Sequence, residues 1–132
     1  MTAIRSMPRA GPILITGLLV CVSGCGGTSP PQPADADQAR DALRATLDTW
    51  QKGETPPALQ QRKPAIRAVD YEWTAGHRLL RYEMGNTELI GGSLRYHVWL
   101  TIQEQHGRSV RKQAVYSIDT SPVLTVHRED DF

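Results

Sequence analysis

No cysteine follows Cys25 in this 132-residue chain, and the only other one is Cys21. The body of the protein therefore has no disulfide of its own, and its roughly ninety residues must hold together by packing one modest core. An excess of one charge is missing too. Lys and Arg number 15 against 14 Asp and Glu, and without residues 1–24, which hold Arg5 and Arg9, they number 13 against 14. Nucleic-acid binding needs a basic excess clustered on one face, so no nucleic-acid partner is expected. No apolar run reaches membrane-span length: residues 11–24 give about fourteen, interrupted by Pro12 and Gly17, where a spanning helix takes roughly twenty. Signature motifs of hydrolysis and phosphate binding are also lacking, since there is no Gly-x-Ser-x-Gly, no His-Glu-x-x-His and no glycine loop opening a helix. Gly91-Gly92 is expected to be a flexible strand connection.

What is present begins with an address. Arg5 and Arg9 precede the apolar run Ile13–Val20, and small residues Ser23 and Gly24 follow it, the layout of an export signal. The closing Val22-Ser23-Gly24-Cys25 resembles the lipobox of bacterial lipoprotein precursors. That resemblance implies cleavage between Gly24 and Cys25 and acylation of Cys25, with the membrane as a partner through the lipid anchor and the domain facing the periplasm. Two or three acyl chains, at about 0.8 kcal/mol per buried methylene, hold a protein firmly on a bilayer. Residue 26 is Gly rather than the Asp that retains such proteins at an inner membrane, so the outer membrane is the expected destination. The expected division is a signal peptide over 1–24, the lipidated Cys and a Gly, Pro and Ser-rich tether over 25–36, and one small domain over 37–132.

Apolar periodicity predicts an α+β domain. Ala39, Leu43, Leu47 and Trp50 form one stripe of an amphipathic helix, capped by Asp35 or Asp37 and ended by Gly53. A short helical turn is expected over Ala58–Arg62. After Pro64 the period becomes strand-like: Ile66–Trp73, Arg78–Met84, Leu94–Gln103, Val110–Asp119 and a short Val123–Arg128. Leu94, Tyr96, Val98, Leu100 and Ile102 alternate most clearly with Arg95, His97, Trp99, Thr101 and Gln103. The expectation is a helix packed on a four- to five-stranded antiparallel sheet, with Leu80, Tyr82 and Met84 among the helix's partners. The element order and the run Leu47-Asp48-Thr49-Trp50-Gln51-Lys52-Gly53 resemble the small NTF2-like and cystatin-like domains, including those of some bacterial lipoproteins. The acidic tail Arg128–Phe132 is expected to fray.

Candidate chemistry is sparse. Asp70 and Glu72, two apart on an expected strand, would share a face, with His77 near enough to complete a carboxylate–histidine pair for acid-base work. His97, His106 and His127 lie on separate segments, so neither a metal nor another cofactor is expected. Trp99 shares the outer face with Arg95 and His97, a composition that anchors partner contacts. A cavity lined by Tyr71, Trp73 and Tyr96 would instead favour a small ligand. The leading expectation is a non-catalytic, lipid-anchored envelope protein that binds another envelope protein or itself. Small-ligand binding, and then an enzyme using Asp70, Glu72 and His77, are the alternatives.

Overall fold

Helix α1, Ala36–Gln51, starts where Asp35 caps it. The Asp35 Oδ1 accepts the backbone N–H of Asp37 and Gln38 at 3.0 and 3.1 Å, satisfying donors that a helix start leaves open. At the other end Gly53 adopts φ +82, so its own N–H reaches the Trp50 carbonyl and the Glu54 N–H the Thr49 carbonyl, a Schellman closure. The stripe of Ala39, Leu43, Leu47 and Trp50 is buried as the spacing predicts. Thr46 and Thr49 are buried as well, with hydroxyls donating to the carbonyls one turn back. The helix takes Ala36 from the expected tether.

The computed structural model describes residues 10–12 and 35–129. Cys25 with its lipobox, most of the leader, the tether to residue 34 and the last three residues lie outside the described residues. No helix among the described residues is long and apolar enough to cross a membrane.

A 3₁₀ turn over Pro56–Gln61 follows α1, slightly earlier than the expected turn. Then come β1 (Arg67–Val69), a one-turn helix α2 (Tyr71–Thr74), β2 (Arg78–Ile90), β3 (Ser93–Gln103), β4 (Ser109–Asp119) and β5 (Thr125–Glu129). They form one five-stranded sheet in the order β1-β5-β4-β3-β2. The domain is α+β, but the sheet is mixed rather than antiparallel, because β1 runs parallel to β5. β1 and β2 occupy opposite edges, so the chain crosses the width of the sheet between them and β1 is no part of the meander.

Two expected strand phases are corrected. Ile66–Trp73 is a three-residue strand followed by a helical turn, because Asp70 caps α2. Val69 and Tyr71 are exposed while Trp73 is buried. In β2 a register shift between Leu79 and Arg81 inserts one residue and reverses the parity. Leu79 is therefore buried and Leu80 exposed, whereas Tyr82 and Met84 remain on the core side. A second shift, between Met84 and Thr87, carries β2 through Gly85-Asn86, where it was expected to stop. Gly85 is required there, since a Cβ would meet the His97 carbonyl oxygen at 2.7 Å. Gly91 and Gly92, both at positive φ, make the two-residue hairpin turn to β3.

The core lies between α1 and the inner face of β2–β5, and the inward residues of β3 are those the alternation selects. It closes at the C-terminal end of α1 on a stacked pair, Trp50 and Trp73, with centroids 5.9 Å apart. Their indole N–H groups donate to the carbonyls of His77 and Glu54 at 2.8 and 2.9 Å, so both large rings are buried without an orphaned donor.

Candidate functional site

Asp70 and Glu72 come together with partners from the distant strands β4 and β5. As the cap of α2, Asp70 accepts the backbone N–H of Glu72 and Trp73 on Oδ1 at 2.9 and 3.1 Å. Its Oδ2 accepts the Tyr116 hydroxyl at 2.6 Å. Glu72, the second residue of the helix, takes Arg128 on one oxygen and Lys112 on the other. The Arg128 guanidinium also lies 3.6 Å from Asp70 and stacks 4.7 Å from the Tyr71 ring centre. Asp70, Glu72 and Arg128 are all buried. Tyr116 and Arg128 are register partners, and Lys112 stands four residues before Tyr116 on the same face.

Arg128 is thus the centre of a buried network and not the start of a frayed tail. Its strand continues through Glu129. Lys112, Tyr116 and Arg128 were missed as site residues although a signal for them exists. Lys112 falls in the inward phase of Ala114, Tyr116 and Ile118, and Arg128 in that of Leu124 and Val126. A cation in a buried phase demands a buried anion.

Electrostatics follow from this packing. Burial pushes the Glu72 carboxyl up, but hydrogen bonds and charge from Lys112 and Arg128 outweigh it and hold its pKa below the ordinary value. Burial, then the Asp70 charge and hydrogen bond, push the Tyr116 phenol well above its usual range. For Arg128 burial acts downward, and the anionic neighbours, led by Asp70, turn the balance upward. His77 stands apart. Its Nδ1 is 3.9 Å from Glu72 Oε1, beyond hydrogen-bonding distance, and has no partner among the described residues. The sequence-predicted trio is therefore brought close, on a capped helical turn instead of a strand, with both carboxylates already engaged.

The second set, Arg95, His97 and Trp99, shares the outer face of β3 as expected. Trp99 is 39 % exposed, with the Arg111 guanidinium 4.4 Å from its ring centre. Glu83, the register partner of Trp99, lies 3.4 Å from Arg111. Arg95 Nε meets Glu129 Oε1 at 2.9 Å. His97 lies between Glu88, 3.6 Å from its Nε2, and Gln113, 3.5 Å from its Nδ1. His106 lies in the β3–β4 turn and His127 on β5, both exposed. Among the described residues no group of three His, Cys, Asp or Glu is placed to hold a metal.

Tyr71, Trp73 and Tyr96 do not line one cavity. Tyr71 is exposed over Arg128, Trp73 is stacked on Trp50, and Tyr96 is buried with its hydroxyl donating to the Ala36 carbonyl at 3.2 Å. An open groove of about 410 Å³ runs instead between α1 and the segment before β1, with Ala42, Ala45, Ile66 and Leu124 as its apolar lining and Arg62, Lys63 and Asp41 as its charged one. Set against family models, curated proteins and solved structures, the chain matches none of them.

Proposed function

We propose that this chain is an acyl-anchored envelope lipoprotein whose α+β domain, similar in element order to NTF2-like and cystatin-like domains, works by binding and not by catalysis. It would be held at the membrane through Cys25, at the outer membrane in a two-membrane cell, and would contact an envelope protein or a second copy of itself through the outer face of β3 and β4. The observation that carries the reading is Trp99, 39 % exposed beneath Arg111 and on the same strand face as Arg95 and His97. Aromatic and Arg side chains of this kind dominate binding energies where they become enclosed. The inner cluster supports the same reading. A general base works best with a free lone pair and a pKa raised toward neutrality, whereas Glu72 is engaged on both oxygens and its pKa is lowered.

The anchor is tested by Cys25→Ala, which should leave the precursor uncleaved and abolish incorporation of labelled fatty acid. Labelling that survives the substitution sinks the lipoprotein reading. For the binding face, the acylated protein and its Trp99→Ala variant are compared in pull-downs from native membranes and by sedimentation. A specific partner or dimer that persists equally in the variant removes this surface from consideration. The groove beside Arg62 and Lys63 favours a second reading, a small amphipathic anion as ligand. That reading predicts that Lys63→Ala weakens binding of a fatty-acid probe while Trp99→Ala does not.

A further inference from the structure

Three of the exposed large apolar side chains, Leu89 at 62 %, Ile90 at 44 % and Val123 at 55 %, gather at one end of the sheet. Leu89 and Ile90 lead into the Gly91-Gly92 turn, and Val123 lies in the loop from β4 to β5. The two loops are neighbours: Ser93 Oγ donates to Asp119 Oδ1 at 2.6 Å, and Leu94 pairs with Ile118. The start of α1 lies at the same end, where the Asp35 N–H donates to Thr120 Oγ1 at 3.1 Å. On the anchor reading only residues 26–34 separate Cys25 from this point. Even fully extended, a chain of that length reaches at most about 35 Å.

We propose that Leu89, Ile90 and Val123 rest on the lipid bilayer, so that the anchored domain stands end-on with its two loop tips in the interfacial region. This inference rests on acylation of Cys25. Scattered apolar residues need no explanation, but these three occupy the tips that the tether holds within reach of a membrane. The tether also keeps their effective concentration at the surface high, so a small apolar contact suffices. Asp35, Asp37, Glu88 and Asp119 stand at this end with Arg40, Arg95 and Arg67, whose backbone N–H donates to the Leu124 carbonyl, so no strong excess of one charge sets the contact and the three apolar side chains carry it. The outer face of β3 and β4 would then point sideways, clear of the membrane.

The test uses the full acylated protein in phosphatidylcholine vesicles. An environment-sensitive fluorophore is placed by Ile90→Cys or, at the far end of the sheet in the β3–β4 turn, by Arg108→Cys. Nitroxides on the lipid acyl chains serve as quenchers. Each labelled protein is matched to the parent by circular dichroism, and the mass of the Cys25 adduct is recorded on the same sample. The expected result is a blue-shifted emission and several-fold stronger quenching at position 90 than at 108, diminished by Leu89→Asn with Val123→Asn. Equal quenching at both positions on an acylated chain overturns the docking and leaves the anchor standing. An unmodified Cys25 overturns both.

Discussion

Charged side chains of β4 and β5 stand on both faces of the sheet, and on each face carboxylates meet arginine and an aromatic ring. Inside, the side chains of Asp70, Glu72 and Arg128 are 2 %, 6 % and 3 % exposed. Outside, those of Arg95 and Glu129 are 39 % and 27 % exposed, and those of Arg111 and Glu83 are 53 % and 58 %. Exposed pairs keep much of their hydration when broken and contribute about 0–1 kcal/mol. Breaking the inner pairs strands a charge where water cannot follow, so the inner cluster constrains the fold and the outer one is free to serve a contact.

The sharpest test of that contrast is a pair of Arg substitutions. Arg128→Ala should cost about 3–5 kcal/mol in urea unfolding because Glu72 and Asp70 lose their shared buried cation. Arg95→Ala should cost less than about 1 kcal/mol. Equal losses would mean that burial does not separate the clusters as argued. Trp50→Ala belongs with the large effects, at about 3–5 kcal/mol, since it removes the stacked partner of Trp73 and the anchor to the His77 carbonyl. A melt within a few degrees of the parent would show that α1 is not held there.

The alternation in Leu94–Gln103 was legible in the sequence because β3 is central, unbulged and buried on one face only. The α1 stripe was legible for the same reason, a single period undisturbed over four turns. Phase was lost at Leu80, where one inserted residue exchanges the faces of β2, and at Tyr71–Trp73, where the capping carboxylate of Asp70 overrides an apparent alternation. β1 has only three residues and so carries too little pattern to declare its direction or its neighbour. Asp70 and Glu72 could be singled out by residue type, but their partners lie 40 to 56 residues away in sequence. Only the inward phase of Lys112 and Arg128 pointed to them. The outer-face trio was legible because it needed nothing beyond the period of β3.

A smaller loss is expected from Tyr116→Phe. It removes one donor from the buried Asp70 carboxylate, and a hydrogen bond to a charged group is worth about 1.5–3 kcal/mol. The cost should exceed that of Tyr82→Phe, whose hydroxyl bonds the exposed Asp48 at 2.6 Å. An inverted order would place the Asp70 carboxylate closer to solvent than its burial implies.

Acid separates the clusters by a different route. The Glu72 pKa is lower in the folded chain than in the unfolded one, so its contribution to stability is fully present above the unfolded value. It is lost as pH falls through the folded value. Glu72→Gln should therefore flatten the decline in stability below about pH 4.3, the ordinary range of a glutamate, while lowering stability at neutral pH. A variant at Glu72 that keeps the full acid slope would assign that slope to other carboxylates.

The smallest effect on folding is expected at Trp99. The residue is 39 % exposed and the Arg111 guanidinium lies 4.4 Å from its ring centre, a pairing worth about 0.5–1 kcal/mol at exposed sites. Trp99→Ala should thus shift the urea midpoint only slightly. If the outer face binds a partner, the same substitution should weaken that complex by more than about 2 kcal/mol, since truncating an enclosed aromatic anchor removes both its buried area and its fit. Arg111→Ala separates the roles, because loss of the stacking cation leaves the indole in place but free to turn. It should weaken association less than Trp99→Ala does. If both variants bind as the parent does and only their stability changes, Trp99 packs on Arg111 for its own sake, and the outer cluster is as structural as the inner one.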